Sequence, residues 1–539
     1  MVDLVSSLPD DLLGHILSLL TTKEAALTSI LSKRWRYLIA FVPYLEFDDS
    51  AFLNPEEGKQ TREGTRQSFI DFVDRVLALH GDSPIRKFSL KCKTGVDLDL
   101  LNQWICNVLQ RGVLLIDLSM DLGHRCMFIE IFMSRTLVEL KLGSGCRIAF
   151  GPEHISALPM LKTLTLDSVS WSDSGQLERL LSACPALEAL NLANVHGSYP
   201  NATVSIASLK TLTIKSVSLS GPAHVFSFDT PNLLCLNYTA LFEDDYPLVN
   251  LEYLVEAQIK FVLTDRLIKL VSVRKNGLLM LSEVQKLIRG ISSVRKLYLS
   301  PGTLQVLGQC SQAMPVFNNL TFLVIESSMD IRWQAMPVLL KNCPRLETLV
   351  IKGGLVHCVA ADCGDACTCI SREEKGRSLA SCPVKRLEIR EFQGTLREME
   401  MIKHFYYCFL CLKEMEIYVK DGRPQFLAPL ASDSNPFKHL LGRNVIIKVH
   451  GSGPSLASCP VKRLEIREFQ GTSREMDMIK HFLDYFSCLE ELDIYVKDGR
   501  PQSPITPDSN PFNDLSGRNV KFKVVDYPMK SWWKFYFPN

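Results

Sequence analysis

The 539-residue chain lacks long apolar runs and an excess of charge of either sign. No segment reaches the roughly 18 uncharged apolar residues of a membrane-spanning helix, and the start, MVDLVSSLPDD, has no basic region before an apolar core. Its 60 Lys and Arg residues balance 59 Asp and Glu residues, so no global field favours nucleic acid or an anionic membrane as a partner. We therefore expect a soluble intracellular protein, cytoplasmic, nuclear or both, with no membrane or nucleic-acid partner.

Motifs that carry catalysis are also missing. The sequence has no Gly-rich phosphate loop, no GxSxG, no HExxH and no carboxylate pair that stands out from solvated charge. The composition is otherwise that of a globular protein, with 46% hydrophobic and 22% charged residues. These features predict a non-catalytic protein of several domains, with no catalytic residues and no cofactor.

The cysteines do not indicate a disulfide framework. There are 17 of them, an odd number scattered singly along a long chain, which favours reduced thiols. Cys184 and Cys343 each precede a proline at the end of an apolar-periodic segment. We predict that both are small buried hydrophobic residues rather than nucleophiles, because neither has a base nearby in the sequence.

One cysteine cluster, HCVAADCGDACTC, has enough thiols for a zinc site, because zinc binds four Cys or His ligands. Cys358, Cys363, Cys367 and Cys369 could supply them, but the usual pair of well-separated CxxC knuckles is absent. We favour a Cys-rich loop over residues 357–377 that holds no metal, and zinc is the alternative.

The N-terminal stretch LPDDLLGHILSLLTTKEAALTSILSKRWRYL predicts three short helices. Ser7 is the predicted cap of the first, with Pro9 at the first helical position, and Thr22 and Ser32 are the predicted caps of the second and third. The first helix has more apolar residues than one buried stripe requires: Leu12, Leu13, Ile16, Leu17, Leu19 and Leu20. The surplus either packs on the following domain or docks a partner.

The segments LPDDLLGHILSLL and TSILSKRWRYL resemble the F-box in its plant form. The resemblance implies that residues 1–50 bind a Skp-type adaptor and, through it, a cullin and a RING protein. Carried over by position, the residues implied to touch the adaptor or to hold the helices for it are Leu8, Pro9, Leu12, Ile16, Leu17, Leu20, Leu31, Ser32 and Trp35.

A repeated LxxLxL pattern follows a polar connection at residues 51–66 and a helix predicted over Gln67–Leu79. Strands are predicted at 114–118, 137–142, 161–166, 187–192, 209–214, 233–237, 294–299, 320–325 and 346–351. The starts from Leu137 to Leu233 recur about every 22 to 26 residues, the period of leucine-rich repeats. Residues 67–356 are therefore predicted to form a solenoid, whose register between 242 and 293 stays open.

The last third contains a direct duplication, SLASCPVKRLEIREFQGT, which begins at Ser378 and again at Ser455. Each copy predicts a strand, a helix capped by Thr395 or Thr472, and a further strand. The unit resembles the FBD domain of plant F-box proteins, usually present once, and implies α+β units at 378–450 and 455–525. The aromatic tail, 526–539, is predicted to dock on the protein.

The predicted fold class is an α/β leucine-rich-repeat solenoid, preceded by a small all-α three-helix F-box and followed by two α+β FBD-like units. The F-box resemblance implies a substrate-recognition subunit of a Skp–cullin–F-box ubiquitin ligase, whose repeats bind a target protein. Two alternatives use the same adaptor site: a non-degradative interaction or scaffold protein, and a receptor that depends on a small ligand.

Overall fold

A computed structural model describes residues 8–52, 62–93, 95–120, 129–143, 146–148, 157–171, 175–194, 201–216, 225–241, 249–263, 278–309, 314–327, 335–353, 378–393, 395–420, 445–450, 463–469, 491–497 and 521–527. Three predictions fall outside these residues: the Ser7 cap, the Cys-rich loop and, from residue 528 onward, the aromatic tail. The helix of the second FBD-like copy lies outside them as well.

The helices are α1 (Asp10–Ser18), α2 (Thr22–Thr28), α3 (Lys33–Leu38), α4 (Arg62–Leu79), α5 (Leu98–Gln110), α6 (Gln176–Ser182), α7 (Leu278–Gly290), α8 (Pro301–Gln309), α9 (Met336–Lys341), α10 (Ser378–Ser381) and α11 (Leu396–Cys408). Short 3₁₀ helices span Ile39–Phe41, Asp49–Phe52 and Ile129–Met133.

The strands are β1 (Tyr44–Asp48), β2 (Lys87–Cys92), β3 (Leu115–Met120), β4 (Glu139–Leu142), β5 (Arg147–Ile148), β6 (Thr163–Asp167), β7 (Ser170–Trp171), β8 (Ala189–Ala193), β9 (Asn201–Ser205), β10 (Thr211–Ser216), β11 (Val225–Asp229), β12 (Cys235–Leu241), β13 (Val249–Asn250), β14 (Glu256–Val262), β15 (Lys296–Leu299), β16 (Phe322–Glu326), β17 (Thr348–Lys352), β18 (Arg386–Phe392), β19 (Glu414–Val419), β20 (Ile446–His450), β21 (Arg463–Phe469), β22 (Glu491–Lys497) and β23 (Lys521–Tyr527).

The structure divides into two compact units, Met1–Ile389 with Thr395–Met415 and Pro436–Ile446, and Arg390–Gly394 with Glu416–Asn435 and Ile447–Asn539. The first unit contains a parallel sheet in the order β1-β2-β3-β4-β6-β8-β10-β12-β14-β15-β16-β17-β18. In the strands of this sheet from β3 to β15, buried residues alternate with half-exposed or exposed ones, as in β8 with Leu190 and Leu192 buried. Over these strands one face of the sheet forms the core and the other face is open to solvent, whereas on β16 and β17 the opposite face is covered too, with Val324 and Val350 buried.

A ladder of shared carbonyls fixes how each repeat follows the one before it. The Leu114 carbonyl accepts from the N–H groups of both Val138 and Glu139, at 2.8 and 3.0 Å, and the Val138 carbonyl accepts in the same way from Lys162 and Thr163. The pattern recurs from the Pro43 carbonyl to that of Lys385. These paired bonds precede every strand of the sheet after β1, so successive repeats stay in register.

The predicted repeats are present, but most strands begin two residues later than predicted. The strand predicted from Leu161 begins at Thr163, and the one predicted from Leu346 begins at Thr348. The first leucine of each LxxLxL lies in the turn before the strand and is buried there, as Leu161 is. Its side chain contributes to the core although its backbone is outside the ladder of strand bonds.

The register that the sequence left open between 242 and 293 continues without a break. The Leu234 carbonyl accepts from Val255 and Glu256, and the Val255 carbonyl accepts from Arg295 and Lys296. Strand β14 and helix α7 lie in this segment. The repeat that contains α7 is longer than its neighbours, which is why the leucine spacing is obscured there.

Helix α4 begins at Arg62 rather than at Gln67, so residues 62–66 of the predicted polar connection are helical. The Ser68 hydroxyl donates to the Gly64 carbonyl at 2.9 Å, and the Gln67 amide donates to Asp71 at 2.8 Å. These bonds satisfy polar groups in the first turns of the helix, where the sequence offers little apolar periodicity.

The first FBD-like copy continues the repeat sheet in the first unit. Arg386 to Ile389 pair in parallel with Thr348 to Ile351. Thr395 caps α11 as predicted, in a reciprocal capping box with Glu398. In the second unit, β21, β22 and β23 of the second copy form a parallel three-stranded sheet. The assignment of the two copies to the FBD family stays a prediction.

Candidate adaptor-binding surface

Helices α1 to α3 pack around a small apolar core of their own. Its members are Leu13, Leu17, Ala25, Trp35, Leu38 and Val42, and Leu8 packs against it. All six are buried, with Leu13 and Leu17 completely so. This core uses one stripe of α1, and the remaining apolar residues of that helix are not needed to hold the three helices together.

The starts of α1 and α2 differ from the predicted ones, in which Pro9 is the first helical residue and Thr22 is a cap. Helix α1 begins at Asp10, and Pro9 is its N-cap residue in extended conformation, with its carbonyl accepting from Leu12 and Leu13 at 3.1 Å. Thr21, not Thr22, caps α2, in a capping box with Glu24. Ser32 caps α3 as predicted and accepts from the Trp35 N–H at 3.4 Å.

An ion pair fixes the first turn of α1 against α3. Arg34 donates from Nε and Nη2 to Oδ1 of Asp10, at 2.8 and 2.6 Å. The same Nη2 donates to the Leu8 carbonyl at 2.5 Å. Because the Leu8 carbonyl precedes the helix, this arrangement sets the direction in which the chain enters α1.

An apolar stripe on α1 faces solvent. Leu12 is 51% exposed, Ile16 is 39% exposed, and Leu20 beyond the end of the helix is exposed to the same extent as Ile16. Leu12 and Ile16 are four residues apart and therefore neighbours on one helix face. We call Leu12, Ile16 and Leu20 the α1 stripe. Leu31, 70% exposed, lies just before α3.

The structure separates the nine sequence-predicted site residues into two groups. Leu17 and Trp35 are buried in the core, and Leu8 is half-buried against it, so these three hold the helices. The other six are exposed: Pro9, Leu12, Ile16, Leu20, Leu31 and Ser32. Only the exposed group is available to a partner, and its contact with an adaptor stays a prediction.

Several further exposed apolar side chains were not among the predicted site residues. They are Leu19, Leu27, Ile30, Tyr37 and Phe41. Leu19 lies seven residues after Leu12, on the same side of the helix, so the helical period alone could have identified it. Ile30 lies in the turn before α3, where the sequence has no periodic pattern to place it.

The three helices are joined directly to the repeat sheet. Residues Tyr44 to Asp48, within the segment predicted as F-box, form β1 and pair in parallel with β2. The Thr22 hydroxyl accepts from the Glu46 N–H at 2.7 Å. Thr22 is therefore buried and bonded to β1, which explains why the neighbouring Thr21 is the cap.

A groove of about 630 Å³ lies on the opposite side of α1 from the stripe. Gly14, Ser18, Phe41, Tyr44 and Arg86 are among the residues that line it. On a helix of 3.6 residues per turn, Gly14 and Ser18 face almost opposite to Leu12 and Ile16. The groove is therefore separate from the stripe.

Cys184 and Cys343 occupy apolar surroundings in the core of the repeats. Cys184 and Cys343 are fully buried, as predicted, and each thiol donates to the carbonyl of a residue four positions earlier, in the helix that precedes it. Burial raises the pKa of Cys184 to about 12 and also raises that of Cys343. Thiols with such pKa values stay protonated and unreactive at neutral pH.

In the described ranges, no group of three His, Cys, Asp or Glu side chains is placed to hold a metal ion. The same ranges contain no helix with both the length and the hydropathy needed to cross a bilayer.

Comparison with known proteins gives two family matches. The F-box domain matches residues 5–46, and the description "FBD-associated F-box protein At5g56370, LRR repeats" matches residues 101–246. The Arabidopsis thaliana F-box protein At3g59000 is 53% identical over 443 residues, covering 79% of this chain and 89% of that protein. The Arabidopsis thaliana F-box/LRR-repeat protein At3g58930 is 49% identical over 445 residues, which cover 78% of this chain and 91% of that protein.

Fold and matches together define a protein in which an F-box precedes leucine-rich repeats. The chain belongs to the plant F-box/leucine-rich-repeat family. F-box domains typically bind Skp1-type adaptors, and proteins of this kind are generally non-catalytic substrate-recognition subunits of Skp–cullin–F-box ubiquitin ligases.

Proposed function

We propose that this protein is the substrate-recognition subunit of a Skp–cullin–F-box ubiquitin ligase. The α1 stripe and Leu31 bind a Skp-type adaptor, which connects the chain to a cullin and a RING protein. The observation that carries this proposal is the exposure of Leu12 and Ile16 on a helix whose Leu13 and Leu17 already complete the local core.

The energetics of burial support a partner at this surface. Covering a leucine or isoleucine side chain that is otherwise exposed contributes roughly 1.5–3 kcal/mol. The α1 stripe and Leu31 together supply four partly or largely exposed side chains of this kind. That is enough apolar surface for the centre of a stable interface, in which a few buried anchors provide most of the affinity.

The repeat sheet supplies the second half of the function. Its open face presents half-exposed side chains from successive parallel strands on a continuous ladder. Such a surface suits recognition of a target protein, because contacts from many repeats add up along the array. Ubiquitin transfer is carried out by the attached ligase, in the cytosol or the nucleus.

The receptor role is tested by proximity labelling from the intact chain and from the variant Leu12→Glu/Ile16→Glu, each with and without a proteasome inhibitor. A target is labelled by both forms, because the repeat sheet is unchanged. Its abundance falls only with the unmodified chain and only while the proteasome is active.

Partners that are labelled equally but keep the same abundance under all conditions would contradict the receptor role and favour a scaffold. A partner labelled only after small molecules from cell extract are added would instead favour a ligand-dependent receptor.

A further inference from the structure

The face of the repeat sheet that points away from the core changes its charge balance along the array. From β1 to β8, carboxylates outnumber cations on this face: Glu46, Asp48, Asp117, Glu139 and Asp167 against Lys87, Lys91 and Lys141. From β10 to β17, cations outnumber carboxylates: Lys215, Lys260, Lys296 and Lys352 against Glu256 and Glu326. The second part of the face therefore favours a partner with an excess of negative charge.

Two aromatic side chains lie on this positive part of the face. Tyr298 on β15 and Phe322 on β16 are half-exposed, with ring centroids 6.1 Å apart and ring planes tilted by 55°. Val324, the register partner of Tyr298, is buried beside them. The strands from β2 to β14 have no aromatic side chain on the same face. An apolar side chain of a partner can contact both rings at once, at the separations of about 4.5–7 Å where aromatic groups attract each other.

The carboxylates around the aromatic pair each lie beside a cation. Such pairs occur on β14 to β18 and in the turns before these strands: Glu256 with Lys296, Glu326 with Lys352, Glu347 with Lys385, and Glu388 with Arg386. The Glu256–Lys296 pair has an N to O distance of 3.8 Å and is partly exposed, so it is screened by solvent. None of these carboxylates leaves an uncompensated negative charge that would exclude an acidic partner.

Two cations remain beyond these pairs. Lys260 and Arg295 are exposed, and neither has an ion-pair partner among the residues that the structure describes. Ile259 is the register partner of Leu299, so Lys260 lies just past Tyr298 along the strand direction, whereas Arg295 lies in the turn before β15. The two cations are therefore on opposite sides of the aromatic pair along the strand axis, roughly 16 Å apart at about 3.3 Å per residue.

The carboxylates among these cations favour a polypeptide partner over a nucleic acid. Single-stranded nucleic acids also bind surfaces that combine aromatic rings with cations. Their backbone, however, carries a negative charge at every phosphate, and Glu256 and Glu326 would repel it. A polypeptide can instead place carboxylates only where Lys260 and Arg295 lie and an apolar side chain between them.

We propose that Tyr298 and Phe322 bind an aromatic or branched aliphatic side chain of an acidic segment in the target protein, while Arg295 and Lys260 pair with carboxylates on the two sides of that anchor. In an extended segment, residues two positions before and after the anchor share its side of the chain and span about 13 Å. The long Lys and Arg side chains close the remaining distance. The inference rests on the proposed function, since the segment belongs to the target that the repeat sheet recognises.

The test selects ligands for the full chain from a phage-displayed library of random peptides, and the enriched sequences are synthesised and titrated. We expect an aromatic or branched aliphatic residue with Asp or Glu on both sides. Tyr298→Ala loses at least about fivefold in affinity, as expected of a central anchor.

The charge requirement is tested with Lys260→Glu/Arg295→Glu, which should fold normally because both side chains are exposed. We expect it to lose at least about tenfold in affinity, because it places like charges opposite each other. Arg86→Glu/Lys91→Glu is the matched control, since it reverses an exposed arginine in a turn and an exposed lysine on the following strand, β2. Its affinity stays within about twofold, because β2 lies much further from the aromatic pair than the screening length of about 10 Å.

Enrichment of basic or uncharged peptides, enrichment of none, equal binding by Lys260→Glu/Arg295→Glu, or an equal loss in the matched control would overturn the proposal. Binding of single-stranded oligo-deoxythymidine as tightly as the peptides would also overturn it, in favour of a nucleic acid.

Adaptor affinity is measured on the same samples and remains unchanged in Lys260→Glu/Arg295→Glu, because both side chains lie far along the sheet from α1. Failure of peptide binding with adaptor binding intact therefore counts against the peptide site alone. Loss of adaptor binding by the unmodified chain counts against the proposed function.

Discussion

His80 donates from Nε2 to the Val42 carbonyl across 2.7 Å, joining the residue after α4 to the chain between the N-terminal helices and β1. His80 is almost fully buried. Burial lowers the pKa of its imidazole below the ordinary value of 6.5, and the charge of Arg111 acts in the same direction, while the bond to Val42 opposes both. The junction between the F-box and the repeats therefore contains a histidine that is held neutral.

This arrangement predicts an acid-sensitive junction. When the pKa of a histidine is lower in the folded chain than in the unfolded chain, the unfolded chain binds more protons below pH 6.5. The free energy of unfolding then falls as the pH drops from about 7.5 to 5.5. Amide hydrogen exchange of α4 and β1, measured across this range, should show opening that becomes easier at low pH.

The control is His80→Gln, which keeps a side-chain donor but removes the titrating group. Its α4 and β1 exchange should depend less on pH than that of the unmodified chain. An identical pH dependence in the two proteins would show that another group controls the junction.

The cysteines should differ sharply in reactivity. Cys411 is exposed, whereas Cys184 is buried and has a pKa raised to about 12. Iodoacetamide at pH 8 is therefore expected to modify Cys411 in the native chain and Cys184 only after unfolding, as peptide mass spectrometry can resolve. Modification of native Cys184 at the rate of Cys411 would contradict its placement in the core.

The capping box of α11 should contribute measurably to local stability. Thr395 accepts from the Glu398 N–H at 3.2 Å, and its own N–H donates to the Glu398 carboxylate at 2.9 Å. Thr395→Ala is expected to lower the free energy of opening of α11 by about 1 kcal/mol, whereas Thr395→Ser retains the cap. Hydrogen exchange of the α11 amides measures the free energy of opening in each variant. Equal exchange in Thr395→Ala and Thr395→Ser would argue against a stabilising capping box.

Two glycines should respond in opposite ways to alanine. A Cβ on Gly302 would lie 2.3 Å from the Phe261 carbonyl oxygen, but one on Gly14 would meet only the Phe41 Cβ at 3.8 Å. Gly302→Ala is expected to lower the unfolding free energy by roughly 1–3 kcal/mol through overpacking. Gly14→Ala is expected to raise local helix stability, by up to about 1 kcal/mol. Denaturant titration measures the global free energy of unfolding, and amide hydrogen exchange near each glycine measures local stability. A Gly302→Ala variant with unchanged unfolding free energy would contradict the close packing of α8 on β14.

The repeats could be predicted from sequence because each one repeats a local pattern. LxxLxL marks a leucine in the turn and two on the strand, and all three are buried in repeats such as that of Leu161, Leu164 and Leu166. The pattern does not say which leucine lies outside the strand, since burial is the same for all three. That distinction depends on the carbonyl ladder to the previous repeat, which is a contact distant in sequence.

The surface on α1 could be predicted only in part for a similar reason. The surplus of leucines indicates that some must be exposed, but the choice between Leu12 and Leu17 depends on how α1 packs against α3. The two threonines at the start of α2 are equally good caps locally. Thr22 does not cap α2 because its hydroxyl accepts a hydrogen bond from the Glu46 N–H. Glu46 is distant in sequence, so no local pattern predicts this contact.

Adaptor binding through the α1 stripe is tested most directly by the affinity of the full chain for a purified Skp-type adaptor, measured by calorimetric titration. Leu12→Glu/Ile16→Glu is the test variant because both side chains are exposed, so the F-box core should persist, unlike in Trp35→Ala. Leu234→Glu, an exposed leucine on the repeats, is the control. We expect at least about a hundredfold loss for the double variant and less than about twofold for the control. Unchanged affinity in a folded double variant, or an equal loss in the control, would contradict adaptor binding through the α1 stripe.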